Sequence, residues 1–175
     1  MHNLKCNGSK MGIQGNADEV LIADSIIGPT YNGGGQLGHA IYLCGGVEAD
    51  RCTLTIRDST VQGAGNQGHA LKTGAAKTVL ENVTLDETRG TGSRLIDAFN
   101  GGELLIRNST FKAHPDDGNA EVIGYDYGAR RNLARNRIVI ENSVIDCAGG
   151  RLLAGRNSFP DATVRRQGNR ITHCR

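Results

Sequence analysis

The chain has no tryptophan, only four tyrosines and three phenylalanines, and only three prolines in 175 residues. So few aromatic rings make nucleic acid a poor partner, because base stacking needs exposed rings, and they weaken recognition of neutral sugars. With few prolines and no low-complexity tract, the 25 glycines, against a usual share of ~7%, read as turn residues and not as linker residues. No segment approaches the ~18 apolar residues of a membrane span, and residues 1–20 show no basic stretch followed by an apolar run. A soluble chain without membrane insertion is expected. The five cysteines include no C-x-x-C pair and match no zinc spacing.

Charge is present but unevenly placed. Residues 1–120 carry 10 basic and 13 acidic side chains, and residues 121–175 carry 10 and 5, so the last third is positive and its cations are all arginine. Its densest run, "ARRNLARNR" (129–137), reads first as a solvated loop and second as a handle for an acidic polymer, since the planar guanidinium suits carboxylate, sulfate and phosphate groups.

Internal repetition carries the most information. "GHAIYLCGG" (38–46) returns as "GHALKTGAA" (68–76), and five further segments align with one another: "VLIADSII" (20–27), "LTIRDSTV" (54–61), "TVLENVTL" (78–85), "LLIRNSTF" (104–111) and "IVIENSVI" (138–145). Their Asp or Asn residues are spaced 34, 24, 26 and 34 apart. Such irregularity does not suit packed helical hairpins, and nothing between the segments shows a sustained 3.6-residue period. It suits parallel β-coils in which loops vary while the cross-section is constant.

The columns follow from a period of two. Ile22, Ile56, Leu80, Ile106 and Ile140 face inward, as do Val20, Leu54, Thr78, Leu104 and Ile138. Ile27, Val61, Leu85, Phe111 and Ile145 begin the inward face of the next strand. Asp24, Asp58, Asn82, Asn108 and Asn142 form a corner ladder, because Asp and Asn tolerate left-handed backbone; the sequons at 82–84 and 108–110 therefore read as turns. Arg57, Glu81, Arg107 and Glu141 face outward with alternating sign, ~4.8 Å apart if the coils stack in register.

The alternation of G-x-A-[IL] strands with [IV]-x-[DN]-S turns resembles the right-handed parallel β-helix of the pectate-lyase-like superfamily over roughly residues 12–173. "GHALKT", "DETRGTGSRLID" and "FNGGELLIRNS" are similar to repeats of bacterial β-helix proteins whose activities are mostly unassigned. The expected fold is all-β: a single-stranded right-handed parallel β-helix of about six coils, one domain over 1–175 or a piece of a larger β-helix protein. Excursions are expected at 28–37, 112–118 and 125–137.

The repeated "GHA" opens the third strand of each coil. Ile13, Ile41, Leu71, Ile96 and Val122 are read as its inward anchors, and Gln14, Tyr42, Lys72, Asp97 and Ile123 as the outward residues beside them. The resemblance implies that this strand lines a substrate groove. Tyr42, Lys72 and Asp97 have the chemistry for a uronic-acid polymer: proton abstraction next to a carboxylate needs a base, a cation for the developing enolate and an acid for the leaving oxygen. Lys72 is the candidate base or charge neutraliser, Tyr42 the proton donor, and Asp97 an orienter or cation ligand. His39, His69 and Arg94 start the same strands and stand at the groove rim. The structural alternative is a Lys72–Asp97 salt bridge, a surface tyrosine, and inward histidines stacked at a corner.

A lyase or epimerase acting on an acidic glycan is the leading expectation. A non-catalytic solenoid, as a spike, fibre or surface-binding module, is the alternative. No W-x-D-H or R-x-P-x-x-R signature and no paired-aspartate pattern of the pectin-hydrolysing relatives is present. Hydrolysis would need two carboxyl groups on one groove, and Asp126 is the candidate neighbour of Asp97 one coil on. Calcium, held by scattered Asp and Asn oxygens, is the cofactor left open, without a compact loop motif to support it.

Counting five residues on from Asn142 and from Asn169 places Cys147 and Cys174 in equivalent positions of adjacent coils, close enough for a disulfide. Cys44 and Cys52 flank a short loop, leaving Cys6 unpaired. Two bridges point to an extracytoplasmic or secreted setting. Outward-facing Leu21, Thr55, Val79, Leu105 and Val139 are too apolar for a bare surface, which suggests cover from a homo-oligomer, as a trimer or end-to-end stack, or from another segment.

Overall fold

The computed structural model describes residues 1–8, 11–31, 38–46, 49–65, 67–90, 92–125, 135–153 and 162–175. The described chain is all-β, with no helix, and forms a parallel β-solenoid of about five turns. Six coils are expected from the sequence. The difference lies at the ends: the first rung holds a two-residue strand, and the last has no strand in the smaller sheet among the described residues.

An eleven-stranded sheet contains β1 (Lys5–Cys6), β3 (Glu19–Ala23), β4 (Ile26–Ile27), β6 (Thr53–Gln62), β8 (Lys77–Asp86), β10 (Glu103–Arg107), β11 (Thr110–Lys112), β13 (Arg137–Glu141), β14 (Val144–Asp146), β16 (Thr163–Gln167) and β17 (Arg170–Thr172). A six-stranded sheet contains β2 (Ile13–Gly15), β5 (Ile41–Leu43), β7 (His69–Thr73), β9 (Arg94–Ala98), β12 (Glu121–Tyr125) and β15 (Arg151–Leu153). Every strand pair is parallel.

The alternation read from the sequence becomes the core. Ile22, Ile56, Leu80, Ile106 and Ile140 are fully buried, and their register runs unbroken from β3 to β13. Removing these side chains from water, at ~25 cal/mol per Å² of apolar surface, is the main gain that offsets chain entropy.

The corners are set by backbone sterics. Asp24, Asp58, Asn82, Asn108 and Asn142 all hold positive φ, between 49° and 54°, in the left-handed region that costs most other residues ~1–2 kcal/mol. The serine that follows four of these five turns does separate work. Ser25, Ser59, Ser109 and Ser143 each donate a hydroxyl hydrogen bond to the carbonyl two residues earlier. Each also accepts an amide from the preceding rung: Leu4, Ser25, Val83 and Ser109 donate to them at 3.1 Å. A buried backbone donor that strand pairing leaves over at the corner is satisfied in this way.

Two sequence registers need correction. Ile123, not Val122, stands opposite Ile96, and Gly124 stands opposite Asp97. In the last rung, Gly168 takes the corner position opposite Asn142, since Glu141 pairs with Gln167 and Val144 with Arg170. Its φ is 66°. Asn169 replaces the ladder serine, accepting the Ser143 amide at 2.9 Å. Cys147 and Cys174 are nevertheless bridged, with Cα atoms 5.0 Å apart, as are Cys44 and Cys52 at 6.0 Å; Cys6 is in neither disulfide.

The alternating outward charges are in the expected register. Of them, Arg107 pairs with Glu141 at 3.1 Å, while Arg57 turns to its neighbour Asp58 at 2.6 Å. Of the expected excursions, 113–118 lies in a described loop, whereas 32–37 and 126–134, with Asp126 and most of the arginine run, lie outside the described residues.

Candidate functional site

The six-stranded sheet brings together every residue singled out at the "GHA" strand. Tyr42, Lys72 and Asp97 occupy one register position across β5, β7 and β9. His69 and Arg94 are likewise opposite each other.

Strict alternation would send His39 and His69 inward with Ile41 and Leu71 as a stacked corner pair; the rings are buried and stacked as that alternative has it, but they meet Tyr42 and Asp97. Ala40 and Ile41, Ala70 and Leu71, Leu95 and Ile96, and Val122 and Ile123 are consecutive residues that all belong to the core. With two adjacent residues turned in at this corner, the residues on either side of them meet on the same face. Hence His39 contacts Tyr42, with ring centroids 5.5 Å apart, and Arg94 Nη1 reaches Asp97 Oδ1 at 3.2 Å, three residues along its own strand.

Asp97 is the hub. It is 7% exposed, with Oδ2 at 3.3 Å from His69 Nε2 and 3.6 Å from Lys72 Nζ, and Oδ1 on Arg94. Arg94 continues to Glu121 at 3.5 Å, and Glu121 to Arg151 at 2.5 Å. The outcome is a chain of opposite charges across four strands, from Lys72 to Arg151. Gly124 makes room for it, because a Cβ there would run into Arg94 Nη1.

The histidines stack, with centroids 5.1 Å apart and planes 18° from parallel. His39 Nδ1 accepts the His69 backbone amide at 2.9 Å, so its ring proton resides on Nε2 when neutral. Burial, then the neighbouring His69 and Lys72, lower the His39 pKa to about 4. Burial, then Lys72 and Arg94, lower that of His69 to about 3. Both rings are neutral at pH 7. His69 Nδ1 is buried without a hydrogen-bond partner.

Lys72 is the cation this face offers to solvent beside an aromatic pair. Its Nζ lies 5.6 Å from the Tyr42 ring centroid and 5.5 Å from that of Phe99, and the two rings meet edge to face at 6.1 Å. Next to Tyr42 is a cleft of about 230 Å³, lined also by Gln14, Gly15, Asn16, Gly45 and Gly46. Phe99, Glu121 and Arg151 escaped the sequence reading. The recurrent spacing His39-x-x-Tyr42, His69-x-x-Lys72, Arg94-x-x-Asp97 was the available signal for Glu121, because Glu121-x-x-Gly124 continues it.

A second buried acid lies away from this face. Glu87 is fully buried, both its oxygens accept the Ala64 amide at 2.9 Å, and burial raises its pKa to about 8. Nothing in "DETRGTG" marks it as different from its neighbours. Among the described residues no group of three or more His, Cys, Asp or Glu converges to hold a metal ion. Comparison with protein-family models, with curated proteins and with solved structures finds no match for this chain.

Proposed function

We propose that the protein is a polysaccharide-active β-solenoid that binds an acidic glycan along the six-stranded face, with lyase- or epimerase-like chemistry at Lys72 and Tyr42. The observation that carries this reading is the partly exposed Lys72 ammonium held against two aromatic rings beside a cleft. An aromatic surface with a cation suits a uronate, whose ring has an apolar face and whose carboxylate needs a counter-charge.

The roles sharpen accordingly. Lys72, 3.6 Å from Asp97 and beside both rings, is the base or the charge neutraliser for the substrate carboxylate and the enolate that follows from it. Tyr42 is the proton donor to the leaving oxygen. His39 and His69 are positioning groups: His39 lies against Tyr42 and His69 against Asp97, and neither ring presents an exposed free nitrogen to a substrate. The two disulfides support an extracytoplasmic setting. The resemblance to pectate-lyase-like β-helices supplies the substrate class.

The test is a panel of anionic polysaccharides assayed for the ultraviolet absorbance of unsaturated uronate ends and, by NMR, for epimerised sugars. Lys72→Ala is expected to lower turnover ~100-fold or more, and His69→Ala to lower it as well. No activity on the panel, or unchanged turnover in both variants, overturns the reading.

One observation favours a non-catalytic solenoid instead: His39, His69 and Asp97 are 3%, 6% and 7% exposed and largely engage one another. On that reading the same face binds an acidic glycan without turnover, and Lys72→Ala weakens binding.

A further inference from the structure

The outer face of the eleven-stranded sheet presents three parallel columns. One side holds Lys77, Glu103 and Arg137, the other Glu81, Arg107 and Glu141, and between them run Val79, Leu105 and Val139. Each rung thus has one charge of each sign, and the order reverses from one rung to the next. The central column is apolar and half-buried or buried, Leu105 being 7% exposed.

We propose that this face associates with the same face of a second copy, in a dimer whose two-fold axis runs parallel to the solenoid axis. Such an axis sets each rung against itself with its two sides exchanged. Lys77 then faces Glu81 of the second copy, Glu103 faces Arg107, and Arg137 faces Glu141, so every flanking contact is between opposite charges. The valines and Leu105 pack against their own counterparts at the centre.

The competing two-fold axis, parallel to the strands and centred on Leu105, sets Lys77 against Arg137, Glu81 against Glu141, and Glu103 and Arg107 against themselves. Every flanking contact is then repulsive. The pattern therefore selects one orientation and penalises the other. Along the columns Glu103 is already bridged to Arg137, and Arg107 to Glu141. Lys77 and Glu81 enter no ion pair among the described residues, and the second copy supplies one for each.

The three rungs that carry this pattern, bounded by Arg165 next in the central column, measure ~17 Å by ~14 Å. That is about a third of the ~800 Å² per partner of a standard interface. The dimer is accordingly weak, concentration-dependent and loosened by salt.

Sedimentation velocity from micromolar to millimolar protein tests it, using Lys77→Glu and Glu81→Lys, with circular dichroism to confirm that both fold. The parent chain is expected to shift from monomer to dimer with concentration. Each variant alone is expected to remain monomeric, since both copies of the altered contact become repulsive. An equimolar mixture of the two variants is expected to dimerise, because each altered residue then meets its complement. A parent that stays monomeric throughout, variants that still self-associate, or a mixture that fails to associate overturns the proposal. Catalysis plays no part in this readout, so it stands or falls separately from the glycan reading.

Discussion

Arg94 bridges Asp97 on its own strand and Glu121 on the next because Gly124, opposite Asp97, leaves the space that the guanidinium fills. Gly124→Ala is expected to displace Arg94 and break both contacts. The predicted cost is about 1–3 kcal/mol in denaturant unfolding. In an Arg94→Met background the same alanine is expected to cost markedly less, because the clash and the pairs are already gone.

The stacked histidines predict an acid limb in stability. Unfolded, each imidazole takes up a proton near its ordinary value of 6.5; folded, His39 does so only near 4 and His69 near 3. Between those values the unfolded state binds more protons, so stability is full above about pH 6.5 and falls as pH drops toward 4 and 3. Melting temperature measured from pH 7 to pH 4 checks this, with a shallower slope expected for His39→Gln.

Glu87 predicts the opposite limb. Its pKa rises from 4.5 to about 8 on folding, so the folded state holds a proton that the unfolded state has released. Stability is full below about 4.5 and declines as pH rises toward 8. Glu87→Gln keeps a side-chain acceptor for the Ala64 amide and is expected to flatten the melting profile between pH 6 and pH 9, leaving the histidine limb in place.

Ser109→Ala is expected to cost about 1–3 kcal/mol, the range for orphaning a buried donor. Val83 donates its amide to that hydroxyl at 3.1 Å and is 1% exposed. Hydrogen exchange at the Val83 amide reads the effect locally: protection should fall there before it falls at Leu80 or Leu85.

How far the sequence could be read depended on how local each feature is. The inward columns of Ile22, Ile56 and Leu80 follow from alternation within a strand, and the left-handed corners at Asp24 through Asn142 from what Asp and Asn backbone tolerates. Both were legible from single segments. The registers at Val122 and Asn169 were misplaced by one residue because each depends on a neighbouring rung: Gly124 on the space Arg94 needs, and Gly168 on its opposition to Asn142.

The candidate site was half legible. Tyr42, Lys72 and Asp97 share a register position, as the repeat implied. His39 and His69 are buried and stacked, as the corner alternative has them, yet they meet Tyr42 and Asp97, because period-two counting fails where Ala70 and Leu71 both turn into the core.

By itself the sequence determined the repeating rung, its inward columns, its left-handed turns and the pairing of four cysteines, all of which rest on short-range sterics and on the stacking of equivalent positions. Only the tertiary structure decided that His69 and Arg94 join Lys72 at one carboxylate, that Arg94 lies over Gly124, and that Glu87 is closed off from water. Those outcomes depend on corner geometry and on how loops from different rungs exclude solvent, and both arise from contacts between distant parts of the chain.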